Sequence, residues 1–196
     1  MELLVIRHAL PLRAASSDGS PADPPLSEEG RRQAALLSGW LAHEHIDALY
    51  ASPLRRARET AEPLAAAQGL EIALDPGLVE LDHRASEYIP LEEIKAQDRD
   101  AWLALVRGGL YAGVDMQAFR RGVVATFERI IASHAGGRVA VVCHGGVINA
   151  WAGHVLGIGA PHFFEPGYTS VQRFLAASSG ERNVASLNEL AHLRGR

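Results

Sequence analysis

Two histidines that follow short apolar runs are the side chains of this sequence best placed to do chemistry. His8 comes two residues after the run 3–6, and His144 comes directly after the run 139–143. Such runs predict strands buried on both faces of a parallel sheet, and ligands of such sheets bind beyond the carboxyl ends of the strands. Taken alone, a histidine in this position is more often a polar loop residue, so the pattern predicts a site without specifying its reaction.

Arginines near the start of a predicted helix place positive charge after another strand. The helix is expected over 54–68, capped by Ser52-Pro53 with Pro53 at its favoured first position. Its first turns carry three arginines: Arg55, Arg56 and Arg58. A guanidinium fork donates two parallel hydrogen bonds and suits an anion with several oxygens, although a solvated basic face is the ordinary interpretation of such a helix in isolation.

Strands and helices alternate along the rest of the chain. Strands are expected at 3–6, 47–51, 72–74, 139–143, 170–176 and 184–187. Helices are expected at 28–41, with Ser27 as N-cap, and at 54–68, 91–107, 116–134 and 145–156. This alternation predicts an α/β domain with a largely parallel sheet, and 196 residues are a usual size for a single domain.

Composition and charge exclude several classes of protein. Hydrophobic residues make up 47% of the chain and charged residues 21%, which is typical of globular proteins and not of disordered ones. The formal net charge of -4 argues against nucleic acid as a partner, and no apolar run approaches the length of about 18 residues that a transmembrane helix needs. The one cysteine, Cys143, excludes an internal disulfide. We therefore expect a cytoplasmic protein with neither a nucleic-acid nor a membrane partner.

Taken together, these segments resemble the histidine phosphatase superfamily, also called the phosphoglycerate-mutase-like family, over most of the chain. Five blocks follow the family's order: Arg7-His8, 26–30 with 33–34, 52–57 with 60–61, 78–82, and 144–146. Two positions depart from the pattern, since Ala9 replaces the usual glycine and Asp82 is followed by His83 and Arg84 rather than by Phe-Gly-Glu. The resemblance implies a single three-layer α/β/α domain over 1–196, phosphoglycerate-mutase-like, and a metal-independent phosphatase that needs no cofactor.

The resemblance also implies roles for the residues around the two histidines. His8 would attack phosphorus and form a phosphohistidine, which divides one difficult displacement into two easier ones. Arg7 and Arg56 would bind the phosphoryl oxygens and stabilise their negative charge. His144 would donate a further hydrogen bond to the same oxygens, and Gly145 would offer its backbone N–H at the start of a helix.

The resemblance places a second group of residues on the leaving-group side. Glu80 would be the general acid, which protonates the departing oxygen and later takes a proton from water. Tyr168 is expected to line the site, with a plain turn residue as an equally acceptable interpretation. Substrate specificity is expected from an insertion at 83–115, with five candidate contacts: His83, Arg84, Tyr88, Lys95 and Arg99. Four apolar residues of the insertion are expected in the core: Trp102, Leu103, Leu105 and Val106.

Other functions stay open at this point. The nine histidines suggest a metal hydrolase, but the sequence has no His-Glu-x-x-His pattern. Within the family, the alternatives are a phosphoglycerate-mutase-type phosphotransferase, a phosphohistidine protein phosphatase, and a non-catalytic module that binds phosphorylated ligands. Residues 9–13 lack the polar set that follows the nucleophile in the family's mutases, which favours hydrolysis of a small-molecule phosphomonoester. The sequence identifies neither the substrate nor whether the chain forms a homodimer.

Overall fold

A six-stranded sheet and a separate two-stranded pair are seen in a computed structural model that describes residues 1–90, 93, 100, 103 and 115–194. The strands of these residues are β1 (Glu2–Arg7), β2 (Ala14–Ala15), β3 (Ala48–Ala51), β4 (Ile72–Leu74), β5 (Glu87–Tyr88), β6 (Arg138–Cys143), β7 (Val171–Ala176) and β8 (Arg182–Glu189). The large sheet has the order β4-β3-β6-β1-β7-β8, and β2 pairs with β5.

Most of the predicted helix 91–107 lies outside the described residues. So do five residues with expected roles: Lys95, Arg99, Trp102, Leu105 and Val106.

The large sheet is mostly parallel, as predicted. Strands β4, β3, β6 and β1 run parallel, and Arg7 at the end of β1 is paired with Cys143 at the end of β6. Strands β7 and β8 add an antiparallel edge beside β1. Because β1 and β6 are neighbours that run in the same direction, the residues following them emerge at the same edge of the sheet.

Helices cover both faces of the sheet. In the described residues they are α1 (Glu28–Leu41), α2 (Arg55–Gln68), α3 (Met116–Ser133) and α4 (Gly145–Leu156). Successive residues of a strand point to opposite faces. In β1, Leu4 and Ile6 accordingly pack in a core with α1 and α2, whereas Leu3 and Val5 pack in a core with α3 and α4. These three layers confirm the predicted α/β/α fold.

The start of α2 differs from the prediction. The helix begins after Leu54, and neither Ser52 nor Pro53 caps it. Ser52 continues the ladder of the sheet instead, because its N–H donates to the Val142 carbonyl at 2.9 Å. Its hydroxyl therefore faces the strand ends, where it lies 2.8 Å from Nε2 of His144.

Two short 3-10 helices, Pro76–Leu78 and Ala191–Leu193, complete the described secondary structure. The first lies in the predicted turn at 75–77, where the Asp75 carboxylate accepts the Gly77 N–H at 2.9 Å. Within the described ranges, no helix has the length and apolarity needed to cross a bilayer.

Candidate active site

The two histidines lie side by side at the carboxyl ends of β1 and β6. The His8 N–H donates to the carbonyl of Cys143 at 2.9 Å, which extends the pairing of the strands by one residue. His144 follows Cys143 directly, and the centroids of the two imidazole rings are 5.1 Å apart. The parallel pairing of the strands therefore places both predicted histidines in one site.

The ring of His8 is held in one tautomer. Its Nδ1 lies 2.8 Å from the carbonyl oxygen of Ala9, and a carbonyl can only accept, so Nδ1 carries the proton. Nε2 therefore keeps its lone pair. Burial, followed by the positive charges of Arg56 and Arg7, lowers the pKa of His8 well below its ordinary value. The imidazole is thus neutral, with an unprotonated nitrogen, as a nucleophile must be.

Ala9, which replaces the family's glycine, lies in the core. It is fully buried in a small cluster with Leu26 and Ala34, and it is not among the residues that line the pocket. Its N–H donates to Thr60 Oγ1 at 2.9 Å, and that hydroxyl donates to the carbonyl of Arg56 at 2.7 Å. The extra methyl group therefore fills a packed region behind His8.

Two guanidinium groups from different elements reach the pocket. Arg7 donates from Nη1 to the Pro166 carbonyl at 2.6 Å, and its Cζ lies 4.0 Å from the centroid of the Tyr168 ring. Arg56, in the first turn of α2, is 1% exposed and donates from Nη2 to Asp82 Oδ1 at 3.0 Å. Both side chains line the pocket, so it contains two positively charged guanidinium groups that are held in place by hydrogen bonds and could bind an anion.

The neighbouring arginines of α2 do not lie with Arg56. The side chain of Arg55 is 50% exposed and pairs with Glu59 at 2.6 Å, and Arg58 is exposed as well. With about 3.6 residues per turn, adjacent positions of a helix point in different directions. The buried side of α2 includes Arg56 and Thr60, so of these three arginines only Arg56 enters the site.

Glu80 is fixed against the first turn of α4. Its Oε2 accepts the Gly146 N–H at 2.8 Å, and its Oε1 accepts the N–H of Leu81 at 2.9 Å. A Cβ at position 146 would collide with this carboxylate, which explains the glycine there. Burial, followed by the charge of Asp82, raises the pKa of Glu80 from 4.5 to about 7. A carboxyl group with this pKa can give and take a proton near neutral pH.

His144 is fully buried at the start of α4 and lies behind the pocket surface. Burial, followed by the charge of Arg56, lowers the pKa of His144 well below its ordinary value. Its Nε2 lies 2.8 Å from the Ser52 hydroxyl, which accepts the Leu54 N–H at 3.3 Å. When that hydroxyl donates to Nε2, the ring proton sits on Nδ1, a buried atom without a partner among the described residues.

The pocket has a volume of about 170 Å³. The following residues line it: Arg7, His8, Arg56, Glu80, Leu81, Asp82, Tyr88, Ile89, Gly145, Gly146, His162, Glu165 and Pro166. Four of the predicted catalytic residues and Gly145 are therefore at its surface. Tyr168 is not among the lining residues. Its ring packs against Arg7 and His8 behind the pocket, with its centroid 5.7 Å from that of His8.

The sequence analysis missed His162 and Glu165, which line one wall of the pocket. Asn149 holds this segment in place, since its Oδ1 accepts the Phe163 N–H at 2.9 Å and its Nδ2 donates to the Phe164 carbonyl at 3.0 Å. The one available signal in the sequence is Glu165-Pro166-Gly167, which directly precedes the predicted site residue Tyr168.

Of the three predicted substrate contacts at 83–115 that the structure describes, one lines the pocket and two do not. Tyr88 lines the pocket, and its ring centroid lies 4.6 Å from the guanidinium carbon of Arg56. His83 lies beside the site with its Nδ1 2.7 Å from the Glu80 carbonyl, whereas Arg84 is exposed. Neither His83 nor Arg84 is among the lining residues.

The site is suited to an anion. Two arginines and the positive end of the α4 dipole converge on His8. In the part of the chain that the structure describes, no group of three or more His, Cys, Asp or Glu side chains could hold a metal ion.

The family profile of the histidine phosphatase superfamily (branch 1) matches residues 3–189. Phosphoserine phosphatase 1 of Hydrogenobacter thermophilus is 29% identical over 205 residues, which cover 98% of this chain and 94% of that protein. A probable phosphoglycerate mutase GpmB of Yersinia pestis is 28% identical over 165 residues, covering 82% of this chain and 77% of that protein.

Solved structures share the fold. A phosphoserine phosphatase of Entamoeba histolytica, crystallised with 3-phosphoglyceric acid, superposes with a TM-score of 0.75 at 21% identity and covers 98% of each chain. A mycobacterial glucosyl-3-phosphoglycerate phosphatase superposes with a TM-score of 0.75 at 22% identity, over 96% of this chain and 99% of that one.

Proposed function

The chain belongs to the histidine phosphatase superfamily and is a phosphatase of that type, and on this premise we propose that it hydrolyses a small-molecule phosphomonoester through a phosphohistidine on His8. The observation that carries the proposal is the hydrogen bond from Nδ1 of His8 to the Ala9 carbonyl. It leaves Nε2 unprotonated in a pocket that Arg7 and Arg56 also line, and burial keeps the ring neutral. No metal ion or other cofactor enters the proposed reaction.

In the first proposed step, Nε2 of His8 attacks phosphorus. A nitrogen–phosphorus bond forms while the bond from phosphorus to the ester oxygen breaks. Arg7 and Arg56 would hold the equatorial oxygens, and the N–H of Gly145 at the start of α4 would add a neutral donor. His144, through Nδ1, would donate to the same oxygens once a phosphoryl group fills the space before it. Charge stabilisation of this kind replaces a metal ion.

Glu80 would serve both half-reactions. With a pKa of about 7 it is partly protonated near neutrality and can give its proton to the departing oxygen. The resulting carboxylate can then accept a proton from the water that attacks the phosphohistidine. A phosphorus–oxygen bond to that water forms while the bond from phosphorus to Nε2 of His8 breaks, which releases inorganic phosphate. The hydrogen bonds from Gly146 and Leu81 keep the carboxyl oxygens in place through both steps.

We propose that water is the acceptor and that a second substrate hydroxyl is not. Residues 9–13 carry none of the polar side chains that follow the nucleophile in the family's mutases. Supplying 2- or 3-phosphoglycerate tests this, with phosphate release and isomer interconversion followed together. Interconversion much faster than release would make the chain a mutase.

We also propose how the chain is organised. Residues 1–196 would form one domain, with 83–115 as the segment that determines substrate specificity, and the lining position of Tyr88 supports that assignment. The buried, unpaired thiol of Cys143 is in keeping with the reducing cytoplasm as the compartment.

Rapid quenching tests the covalent intermediate. Wild-type protein mixed with a labelled phosphomonoester should give a phosphoprotein that is labile in acid and stable in alkali, and His8→Ala should give none. His162→Ala is the matched control, since it removes another imidazole from the same pocket. An acid-stable, alkali-labile label would indicate a phosphoester and would exclude the histidine.

A further inference from the structure

The backbone beside the nucleophile is strained at Thr169. This residue has φ of +57°, a conformation that a β-branched side chain adopts only when its surroundings impose it. Among the described residues other than glycine, only Asn188 shares a positive φ, at +59°. Thr169 belongs to the stretch 166–170, which packs against Arg7 and His8, and Asn188 binds the same stretch.

Thr169 binds the backbone of the two residues that carry the proposed chemistry. Its N–H is shared between the carbonyls of Arg7, at 3.1 Å, and His8, at 3.4 Å. The Arg7 N–H in turn donates to the Ser170 carbonyl at 3.1 Å. The backbone of Arg7 and His8 is therefore bound from this side by Thr169 and Ser170.

The side chain of Thr169 is held by His192, in the 3-10 helix Ala191–Leu193. The Thr169 hydroxyl donates to the Tyr168 carbonyl at 2.7 Å and lies 2.9 Å from Nε2 of His192. The hydroxyl has one proton, so Nε2 must be the donor of the second bond. The His192 ring stacks on Trp40 of α1, with centroids 5.2 Å apart and planes at 21°. One imidazole thus ties α1 to the strained residue.

Asn188 holds the same stretch from the end of β8. Its Oδ1 accepts the Gly167 N–H at 2.8 Å, and its own N–H donates to Gln172 Oε1 at 2.8 Å. Gly167 follows Pro166, whose carbonyl accepts from Arg7. The segment 188–192 therefore contacts the stretch 166–170 at two points, and that stretch touches both Arg7 and His8.

We propose that His192 is a positioning residue for the phosphoryl pocket, acting through the Nε2–H bond to Thr169 on the backbone of Arg7 and His8. The proposal rests on the proposed role of His8. His192 does not line the pocket, so its effect must reach the reaction through Thr169. Burial lowers the pKa of His192, which favours the neutral ring, and the bond to Thr169 places the single proton of that ring on Nε2.

Two substitutions at His192 separate the hydrogen bond from the packing. His192→Phe keeps a ring to stack on Trp40 and removes the donor, whereas His192→Gln keeps a donor at a similar distance from the backbone. Because small misplacement of reacting groups is costly, His192→Phe should lower kcat/KM by about tenfold and weaken vanadate inhibition by a similar factor. His192→Gln should recover most of both losses.

The control for general destabilisation is Leu193→Ala, which truncates an apolar neighbour in the same 3-10 helix. Thermal unfolding places all variants on one stability scale. If His192→Phe and Leu193→Ala lose stability equally and differ neither in kcat/KM nor in vanadate affinity, His192 is structural and the proposal is wrong.

The route through Thr169 is tested by a double-mutant cycle. Thr169→Val removes the hydroxyl with nearly the same shape, and Thr169→Ala is the substitute should Val fail to fold. In either background, His192→Phe should cause no further loss of kcat/KM, because its partner is already absent. Losses that multiply would refute the route.

The same measurements separate this inference from the proposed function. Vanadate binding measured by calorimetry needs no turnover and reads the pocket directly. A wild-type protein that forms no phosphohistidine would refute the proposed function, while an unchanged vanadate affinity in His192→Phe would refute the positioning role.

Discussion

The two walls of the pocket are built from different kinds of structure. The phosphoryl wall, which consists of Arg7, His8, Arg56 and the start of α4, lies at strand ends and helix starts, and these three side chains are at most 5% exposed. The leaving-group wall consists of residues from 81–89 and 162–166, most of them half-buried. In the proposed reaction, the groups that would contact the part common to all phosphomonoesters lie at the sheet, whereas those that would face the variable part lie on loops and on the short strand β5.

Glu80 connects the two walls. Its carboxylate is bound to the N–H of Gly146 in the phosphoryl wall, and its chain continues into the leaving-group wall at Leu81. The two walls should therefore respond differently to substitution. Changes in the phosphoryl wall should affect all substrates equally, and changes at or beyond Glu80 should depend on the leaving group.

The largest expected effect is on kcat/KM and comes from Arg56 in the phosphoryl wall, with an exposed arginine of the same helix as its control. Arg56→Ala should lower kcat/KM by about 10³-fold for every phosphomonoester, because a buried cation that faces the transferring group is lost. Arg58→Ala, two residues further along the same helix and exposed, should change it less than about threefold. Steady-state kinetics with an aryl and an alkyl phosphate measure both.

A substrate-dependent loss in Arg56→Ala would contradict the division into two walls. Arg55→Ala is a second control, since that arginine is 50% exposed and pairs with Glu59.

The next effect depends on the leaving group. Glu80→Gln keeps the size of the side chain and removes the transferable proton, so kcat for alkyl phosphates should fall by about 10²-fold. Nitrophenyl phosphate should be affected far less, because nitrophenolate leaves without protonation. Equal losses on the two substrates would remove Glu80 from the role of general acid.

The central part of this division was predictable from the sequence. Two apolar runs, each with a histidine at its end, predict buried strands whose histidines lie where ligands of a parallel sheet bind. The structure adds that the two strands are neighbours, which brings His8 and His144 together. Local patterns also predict α1 and its Ser27 cap, whose hydroxyl accepts the Gly30 N–H at 3.0 Å. The sequence pattern predicts the ends of these strands well because hydrophobic burial fixes the register of strand pairing.

The remainder depends on contacts between distant segments. Ser52 has the local signature of a helix cap, but the ladder bond to Val142 outweighs it and turns its hydroxyl to His144. His162 and Glu165 reach the pocket because Asn149 binds the backbone of the two residues between them, which no periodicity reveals. The leaving-group wall is therefore the part that sequence patterns predict least well.

A stability measurement sharpens the position of Glu80 between the walls. Its pKa is about 7 in the folded chain against an ordinary 4.5, so folding is penalised once the carboxyl ionises. Below about pH 4.5 both states are protonated and the penalty is absent. It grows as pH rises towards 7 and is complete above it. Glu80→Gln should therefore be more stable than wild type by about 1–3 kcal/mol at pH 8 and equal to it near pH 4.5.

Denaturant unfolding at several pH values checks this prediction. A stability gain that is independent of pH would show that ionisation of buried Glu80 is not what destabilises the wild-type protein. Combined with the expected loss of activity, the predicted result would make Glu80 a residue that costs stability for the sake of its reaction.

The smallest expected effect concerns Ala9, directly after the nucleophile. The structure places its methyl group with Leu26 and Ala34, behind the phosphoryl wall and away from the pocket. Ala9→Gly restores the family's residue, yet it removes a buried methyl group and adds backbone freedom to the unfolded chain. We therefore expect the free energy of unfolding to fall by about 1 kcal/mol. We expect kcat/KM to stay within about twofold of wild type for both aryl and alkyl phosphates. The reason is that Nδ1 of His8 donates to the backbone carbonyl at position 9, which alanine and glycine both carry. Urea unfolding and steady-state kinetics on the same preparation check the two halves of the prediction. A rise in kcat/KM on all substrates would mean that the methyl group displaces His8 and that the phosphoryl wall is less rigidly fixed than its burial indicates, whereas a rise on one substrate alone would place Ala9 on the leaving-group side.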